Sequence, residues 1–122
     1  MELLLDKIAI VTGGANGIGK ATVRKFVAEG AKVAIWDLND SAGNELQAEL
    51  AAGGAEVIYK HVDTTRPEEI AIAVADVKSK FGNIDILINN AGITRDATLL
   101  KMTDEQWQTV IDVNLTGVFN CI

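Results

Sequence analysis

A parallel β-sheet with helices on both faces is the fold class this sequence predicts, and three features predict it. Short β-branched runs alternate with longer stretches of helical periodicity. The first run meets the first helix through a glycine-rich junction, Thr12-Gly13-Gly14-Ala15-Asn16-Gly17-Ile18-Gly19. The second run ends on an acid, Asp37, 18 positions after Gly19. No repeat, low-complexity tract or linker interrupts the pattern. Residues 1–122 therefore read as one domain, long enough to bury roughly two thirds of its unfolded surface.

Each element has its own signal. Lys7 to Thr12 is apolar on both faces and reads as a central strand. Ile18 to Glu29 follows as a helix with Val23, Phe26 and Val27 on one stripe and Gly30 as its stop. Lys32 to Asp37 is the second strand. Asn39-Asp40-Ser41 can cap the next helix, in which Ala42, Leu46 and Leu50 recur at helical spacing before Gly53-Gly54. Glu56 to Val62 alternates and belongs nearer an edge. Thr65 and Glu68 have capping-box spacing with Pro67 in the first turn, and Ile70, Ala73, Val74, Val77 and Phe81 form the core face of the third helix. Ile84 to Asn89 is strand four. Thr103 and Gln106 open a fourth helix carrying Trp107, Val110, Ile111 and Val118, with no stop signal before residue 122.

Composition sets limits on function. Apolar residues at 48% and charged residues at 23% suit a soluble globular chain. A net charge of −6, from 17 acidic and 11 basic side chains with no basic run, argues against nucleic acid and anionic membrane as partners. Cys121 is the only cysteine, so neither an internal disulfide nor a cysteine-rich metal site is available. His61 has no histidine or cysteine partner nearby and reads as a solvated or packed imidazole; no metal site is expected. Trp36 and Trp107 read as core or interface. The N-terminus has no basic segment and no apolar stretch of spanning length, which makes the cytoplasm the expected setting.

Chemistry concentrates at strand ends. Glycines let the junction turn sharply and let a ligand approach the backbone, while the helix that follows aims free N–H groups and its positive dipole end at an anion. Packing alone would also account for glycines there. Among nucleotides three readings compete. The stretch from Gly14 to Ala21 nearly spells a P-loop, but Ala21 has no hydroxyl for magnesium. S-adenosylmethionine has no diphosphate to gain from a helix N-terminus. A dinucleotide gains from both the loop and Asp37, whose carboxylate can accept ribose hydroxyls. That carboxylate repels a 2′-phosphate, and Asn16 in the loop is uncharged, so NAD is favoured over NADP. Asp37 as a simple turn cap is the bland alternative.

Two more clusters follow strands three and four. Asp63, after Val62, can accept from an adenine amino group or simply help start the next helix beside Thr64 and Thr65. Asn89-Asn90-Ala91-Gly92 can bridge strand ends while leaving room for a flat ligand, or can be a plain turn. Asn114 is a poor helix former in an apolar stretch, which on spacing alone is a surface residue or a mild kink.

These residues together resemble the short-chain dehydrogenase/reductases, most of all the bacterial 3-oxoacyl-(acyl-carrier-protein) reductases and acetoacetyl-CoA reductases. Thr12-Gly13, Gly17, Gly19, Asp63, Asn89-Asn90-Ala91-Gly92 and Asn114 fall in that family's order and spacing. The stretch from Asn90 to Asp96, followed by Lys101-Met102-Thr103, is the part most like the acyl-thioester reductases. The resemblance implies a Rossmann-type sheet in the order 3-2-1-4, ending after the helix that follows strand four. It implies that Gly13, Gly17, Ile18 and Gly19 line a pyrophosphate, with Asn16 in the same loop. Asp37 would hold the ribose, Val62 and Asp63 would frame the adenine, and Asn90, Ala91 and Gly92 would lie along the cofactor. Asn114 would be the catalytic asparagine supporting a water-mediated proton relay. Carrier-protein reductases commonly carry a basic residue in the glycine loop, and Asn16 departs from that.

The family's serine and its Tyr-x-x-x-Lys pair lie beyond position 122. Tyr59, the only tyrosine, has Asp63 four residues on instead of lysine. The expectation is therefore an NAD(P)-binding domain that lacks the family's C-terminal catalytic half. The parent activity would be reversible reduction of a 3-oxoacyl thioester or similar ketone, with the chain alone binding dinucleotide without turnover. The alternative is a stand-alone, non-catalytic NAD-binding or oligomerisation module. Strand four, ending the sheet with an apolar edge, predicts a homo-oligomer.

Overall fold

Three βα units follow one another and a fourth strand closes the set in the computed structural model, which describes residues 3–91. The elements are β1 (Ile8–Thr12), α1 (Gly17–Ala28), β2 (Lys32–Asp37), α2 (Asp40–Ala52), β3 (Val57–His61), α3 (Pro67–Lys80) and β4 (Ile86–Ile88). All strand pairs are parallel and the order is β3-β2-β1-β4, as the sequence predicts. The fourth predicted helix, with Trp107 and Asn114, lies outside the described residues, as do Gly92 and Cys121. No helix among the described residues is long and apolar enough to cross a membrane.

Strand alternation splits the core into two layers. From β2, Ala34 and Trp36 point to one face and Val33 and Ile35 to the other, since successive side chains leave a strand on opposite sides. The first face packs on Ile70, Ala73 and Val77 of α3, together with Ile8 and Ile10. The second packs on Val23 of α1 and Leu46 of α2, with Val11 and Val57. Every residue of β1 is buried, as a strand paired on both edges and covered on both faces must be.

The bounds of β1, α1 and β3 shift by one residue from those expected, and two elements differ by more. Strand four spans Ile86–Ile88 rather than 84–89 because side chains replace its ladder at both ends. At the start, Asp85 Oδ2 accepts the Ile8 amide at 2.9 Å. At the end, the Asn90 amide turns to the Thr12 hydroxyl at 2.9 Å.

The capping box read at Thr65 and Glu68 does not form. Arg66 is the N-cap of α3 and makes no side-chain cap hydrogen bond, while Pro67 opens the helix. The Thr65 hydroxyl is consumed upstream, donating to Asp63 Oδ1 at 2.6 Å, and that oxygen also accepts the Thr65 amide at 2.9 Å. An aspartate two residues before a threonine offers a closer acceptor than the helix does. Glu69, not Glu68, reaches back, and its Oε1 accepts the Asp63 amide at 3.1 Å. At α2 the capping cluster resolves to Asn39, whose side chain accepts from the Ala42 amide at 3.0 Å.

Candidate functional site

The C-terminal ends of the four strands border a crevice of about 290 Å³. Its size is at the small end of the range of about 300–1,000 Å³ typical of small-molecule sites. Gly13 and Asn16 line it from the loop after β1, Asp37 and Leu38 from the end of β2, Val62 and Asp63 from beyond β3, and Asn90 and Ala91 from beyond β4. Open α/β sheets take ligands at this end, where connections leave in opposite directions on either side of β1. The crevice wall holds two carboxylates and, among the described residues, no lysine, arginine or histidine.

The glycine junction is built for close approach. Gly13 has φ +64° and turns the chain out of β1, and its amide donates to the Trp36 carbonyl at 2.7 Å. A Cβ on Gly19 would collide with the Gly13 carbonyl, so only glycine lets the first turn of α1 lie against that loop. Gly17 has φ +57° and open space around its missing Cβ. The N-cap Asn16 makes no side-chain cap hydrogen bond, and the first turn of α1 carries no acid. That helix start is free to meet an anion. Ile18 beside it is exposed.

Asp37 stands over the crevice, but its carboxylate already has work within the chain. Oδ2 accepts the Ala15 amide at 3.0 Å. Oδ1 accepts the amides of Leu38 at 2.7 Å and Asn39 at 3.1 Å. Asp63 is similarly engaged. Partial burial pushes its carboxyl up, but the Thr65 hydroxyl and amide, with Arg66 close by, outweigh that and hold it below the usual carboxylate range. Asp63 shapes the entry to α3 and also lines the crevice.

Asn90 crosses from β4 to β1. Its side-chain amide donates to the Gly13 carbonyl at 3.1 Å, bridging neighbouring strand ends. Thr12 was given no role by sequence, yet its buried hydroxyl is the junction of this corner. It donates to the Ile88 carbonyl at 3.2 Å and accepts the amides of Asn90 and Ala91, each at 2.9 Å. A threonine closing an otherwise apolar strand was the available signal.

Behind Asp37 lies a second polar group. The Tyr59 hydroxyl faces Asp40 Oδ1 at 2.6 Å and the Asp37 carbonyl at 2.9 Å, and His61 Nδ1 pairs with the same Asp40 oxygen at 2.8 Å. Burial first, and then the Asp40 carboxylate, push the Tyr59 phenol well above its usual range. Hydrogen bonds from Tyr59 and then His61 hold Asp40 below its own. Trp36 is buried as predicted, and its Nε1 has no hydrogen-bond partner among the described residues.

Residues 7–122 match the family model for short chain dehydrogenase. The chain belongs to the short-chain dehydrogenase family. It is 40% identical over 120 residues to the 3-oxoacyl-(acyl-carrier-protein) reductase FabG of Chlamydia muridarum, covering 98% of this chain and 48% of that one. Identity is 43% over 122 residues to the 3-oxoacyl-(acyl-carrier-protein) reductase of Synechocystis, covering 99% and 49%. A 3-alpha-(or 20-beta)-hydroxysteroid dehydrogenase of Mycobacterium tuberculosis is 44% identical over 116 residues, covering 95% and 44%. Among solved structures, a short chain dehydrogenase from Mycobacterium smegmatis superimposes with a TM-score of 0.93 at 35% identity, covering 99% of this chain and 51% of that one. The chain spans about half the length of the curated relatives it matches. Of the residues predicted for the site, Gly13, Asn16, Asp37, Val62, Asp63, Asn90 and Ala91 line this one crevice, whereas Gly17, Ile18 and Gly19 are not part of its wall.

Proposed function

We propose that residues 1–122 form the dinucleotide-binding domain of a short-chain oxidoreductase that uses NAD in preference to NADP. The observation that carries this reading is that Asn16, the N-cap of α1 whose side chain makes no cap hydrogen bond, lines the same crevice as Asp37, with no cationic side chain in the described wall. A diphosphate gains from the helix start, and ribose hydroxyls gain from a carboxylate acceptor. A 2′-phosphate beside Asp37 and Asp63 meets two like charges and no compensating cation. Gly13, Asn16, Gly17, Ile18 and Gly19 then serve the diphosphate, Val62 and Asp63 the adenine, and Asn90, Ala91 and Gly92 the length of the cofactor.

When bound, the nicotinamide supplies or removes a hydride at a carbonyl carbon. The relatives' names favour a 3-oxoacyl thioester or a similar ketone as substrate, and the motif resemblance makes Asn114 the candidate catalytic asparagine. Reduction also needs a proton donor, typically worth about a hundredfold or more in rate. The one tyrosine here is committed to Asp40 and the Asp37 carbonyl, which supports binding without turnover by these residues alone. Self-association belongs to the same proposal. Among the described residues β4 ends the sheet, and Ile86, Leu87 and Ile88 are only half-buried there.

NADH and NADPH titrated into the 122-residue chain and followed by nicotinamide fluorescence test the reading. Saturable binding of NADH, weaker binding of NADPH and no reduction of acetoacetyl-CoA are the expected results. Equal affinity for the two cofactors removes the role given to Asp37, and measurable turnover removes the non-catalytic reading of these residues. Light scattering at high concentration is expected to show a dimer or larger.

A further inference from the structure

We propose that Asp37 couples the sugar and diphosphate parts of the site, because the carboxylate that would read the ribose also holds the glycine loop in place. This rests on the dinucleotide reading above. A carboxylate offers about four lone-pair positions. Three are already taken by the chain: Leu38 and Asn39 amides fill Oδ1, and the Ala15 amide takes one position on Oδ2. One position remains, on Oδ2, beside the Ala15 amide. A ribose hydroxyl at Asp37 therefore shares its oxygen with the loop.

The loop has few other anchors. Gly13 and Gly14 donate to the Trp36 carbonyl at 2.7 and 3.4 Å and the Gly13 carbonyl accepts the Asn90 side-chain amide at 3.1 Å, whereas the amide of the next residue, Ala15, depends on Asp37. Ala15 is itself buried, and the Asp37 carboxylate is the acceptor its amide loses in the variant. Asn16 and the start of α1 follow directly. Removing Asp37 thus releases the segment that aims the helix N-terminus, and a ligand lacking any ribose hydroxyl should feel the loss. Exchange of Asp37 for a small neutral residue weakens the diphosphate subsite instead of merely admitting a 2′-phosphate.

Calorimetric titration of ADP and of 2′,3′-dideoxy-ADP into wild type and Asp37→Ala separates the two roles. Dideoxy-ADP has no hydroxyl for Asp37, so any effect of the substitution on its affinity travels through the loop. The expected result is about tenfold weaker binding of dideoxy-ADP by the variant, the size of one charge-assisted hydrogen bond. Loss of a negative charge beside an anionic ligand acts in the opposite direction, so charge cannot imitate this result. ADP binding with unchanged dideoxy-ADP affinity overturns the coupling and leaves the dinucleotide reading intact. Failure of wild type to bind either nucleotide overturns both. Amide hydrogen exchange guards against global unfolding: Ala15 is expected to exchange about tenfold faster in the variant, while Gly13, held by Trp36, keeps its rate. Parallel acceleration of both amides also overturns the coupling.

Discussion

The Thr12 hydroxyl accepts the main-chain amide of Asn90 at 2.9 Å, so one side chain at the end of β1 fixes where the chain beyond β4 enters the crevice. The same oxygen takes the Ala91 amide and donates to Ile88, and the group is 1% exposed. Thr12→Val keeps the shape and removes all three partners. The Ala91 amide then loses its acceptor, while the Asn90 amide and the Ile88 carbonyl keep their bond to each other at 3.1 Å, a loss of about 1–3 kcal/mol. Urea denaturation is expected to show that drop, with Thr12→Ser close to wild type. A valine variant of wild-type stability would mean that water satisfies this corner.

Gly17 and Gly19 both lie in the first turn of α1, but they make opposite demands. Gly19 has no room for a Cβ against the Gly13 carbonyl, so Gly19→Ala must push α1 off the loop. Overpacking of this kind costs about 1–3 kcal/mol and moves the helix start. Gly17 has room but a left-handed backbone, so Gly17→Ala pays only the conformational term of about 1 kcal/mol. Thermal unfolding of the two variants should rank Gly19→Ala as the less stable. Nucleotide titration should show that only Gly19→Ala loses the diphosphate contact without a ligand-side clash. The reverse ranking would place the tight constraint at the wrong glycine.

What was legible in the sequence follows the same division between pattern and position. Lys32–Asp37 stands where its β-branched run places it, because a central strand buried on both faces leaves a continuous apolar signature. Val23, Leu46 and Val77 lie on the stripes that helical spacing gives them. Periodicity could not show that Asp85 and Thr12 replace ladder bonds at the two ends of β4, since those partners are 77 and 78 residues away in the chain. The capping box at Thr65 failed for a local reason: a competing acceptor two residues upstream, Asp63, has no weight in a spacing rule. The candidate site was legible as a set of residue types at strand ends. The duties of Asp37 toward Ala15, Leu38 and Asn39 were not, because they depend on how two loops meet.

Tyr59 gives a spectroscopic prediction, since it is the only tyrosine in the chain. Its phenol is raised above the ordinary value of about 10 by burial and then by Asp40. A raised folded-state value means the stability it brings is fully present below the unfolded value, and is lost as pH rises through the folded one. Phenolate absorbance of the native protein should therefore stay low through pH 10, and appear only together with alkaline unfolding. Ionisation near pH 10 with the fold intact would mean that the Tyr59 hydroxyl is not held by Asp40. Gly43→Ala is the companion variant: its Cβ would run into the Tyr59 ring, displacing the hydroxyl and bringing the titration down toward the ordinary value.

Asp63 governs the acid side. Its carboxyl is lowered despite partial burial, because the Thr65 hydroxyl and amide bind the charged form and Arg66 Nε lies 3.7 Å from Oδ2. A depressed folded-state value gives stability that is present above the unfolded value of about 4 and lost as pH falls through the lower, native one. The unfolding midpoint in urea should fall steadily as pH drops below about 4. Asp63→Asn should be less stable at neutral pH and lose less on acidification, since an amide does not titrate. Thr65→Val should shallow the same acid limb, because it removes the hydroxyl donor and leaves the backbone amide. Asp40, also lowered through Tyr59 and His61, still contributes in both variants, so the limb flattens without vanishing. An Asp63→Asn curve parallel to wild type across that range would show that the Thr65 contacts do not favour the charged carboxylate, and that the turn into α3 is held by its backbone alone.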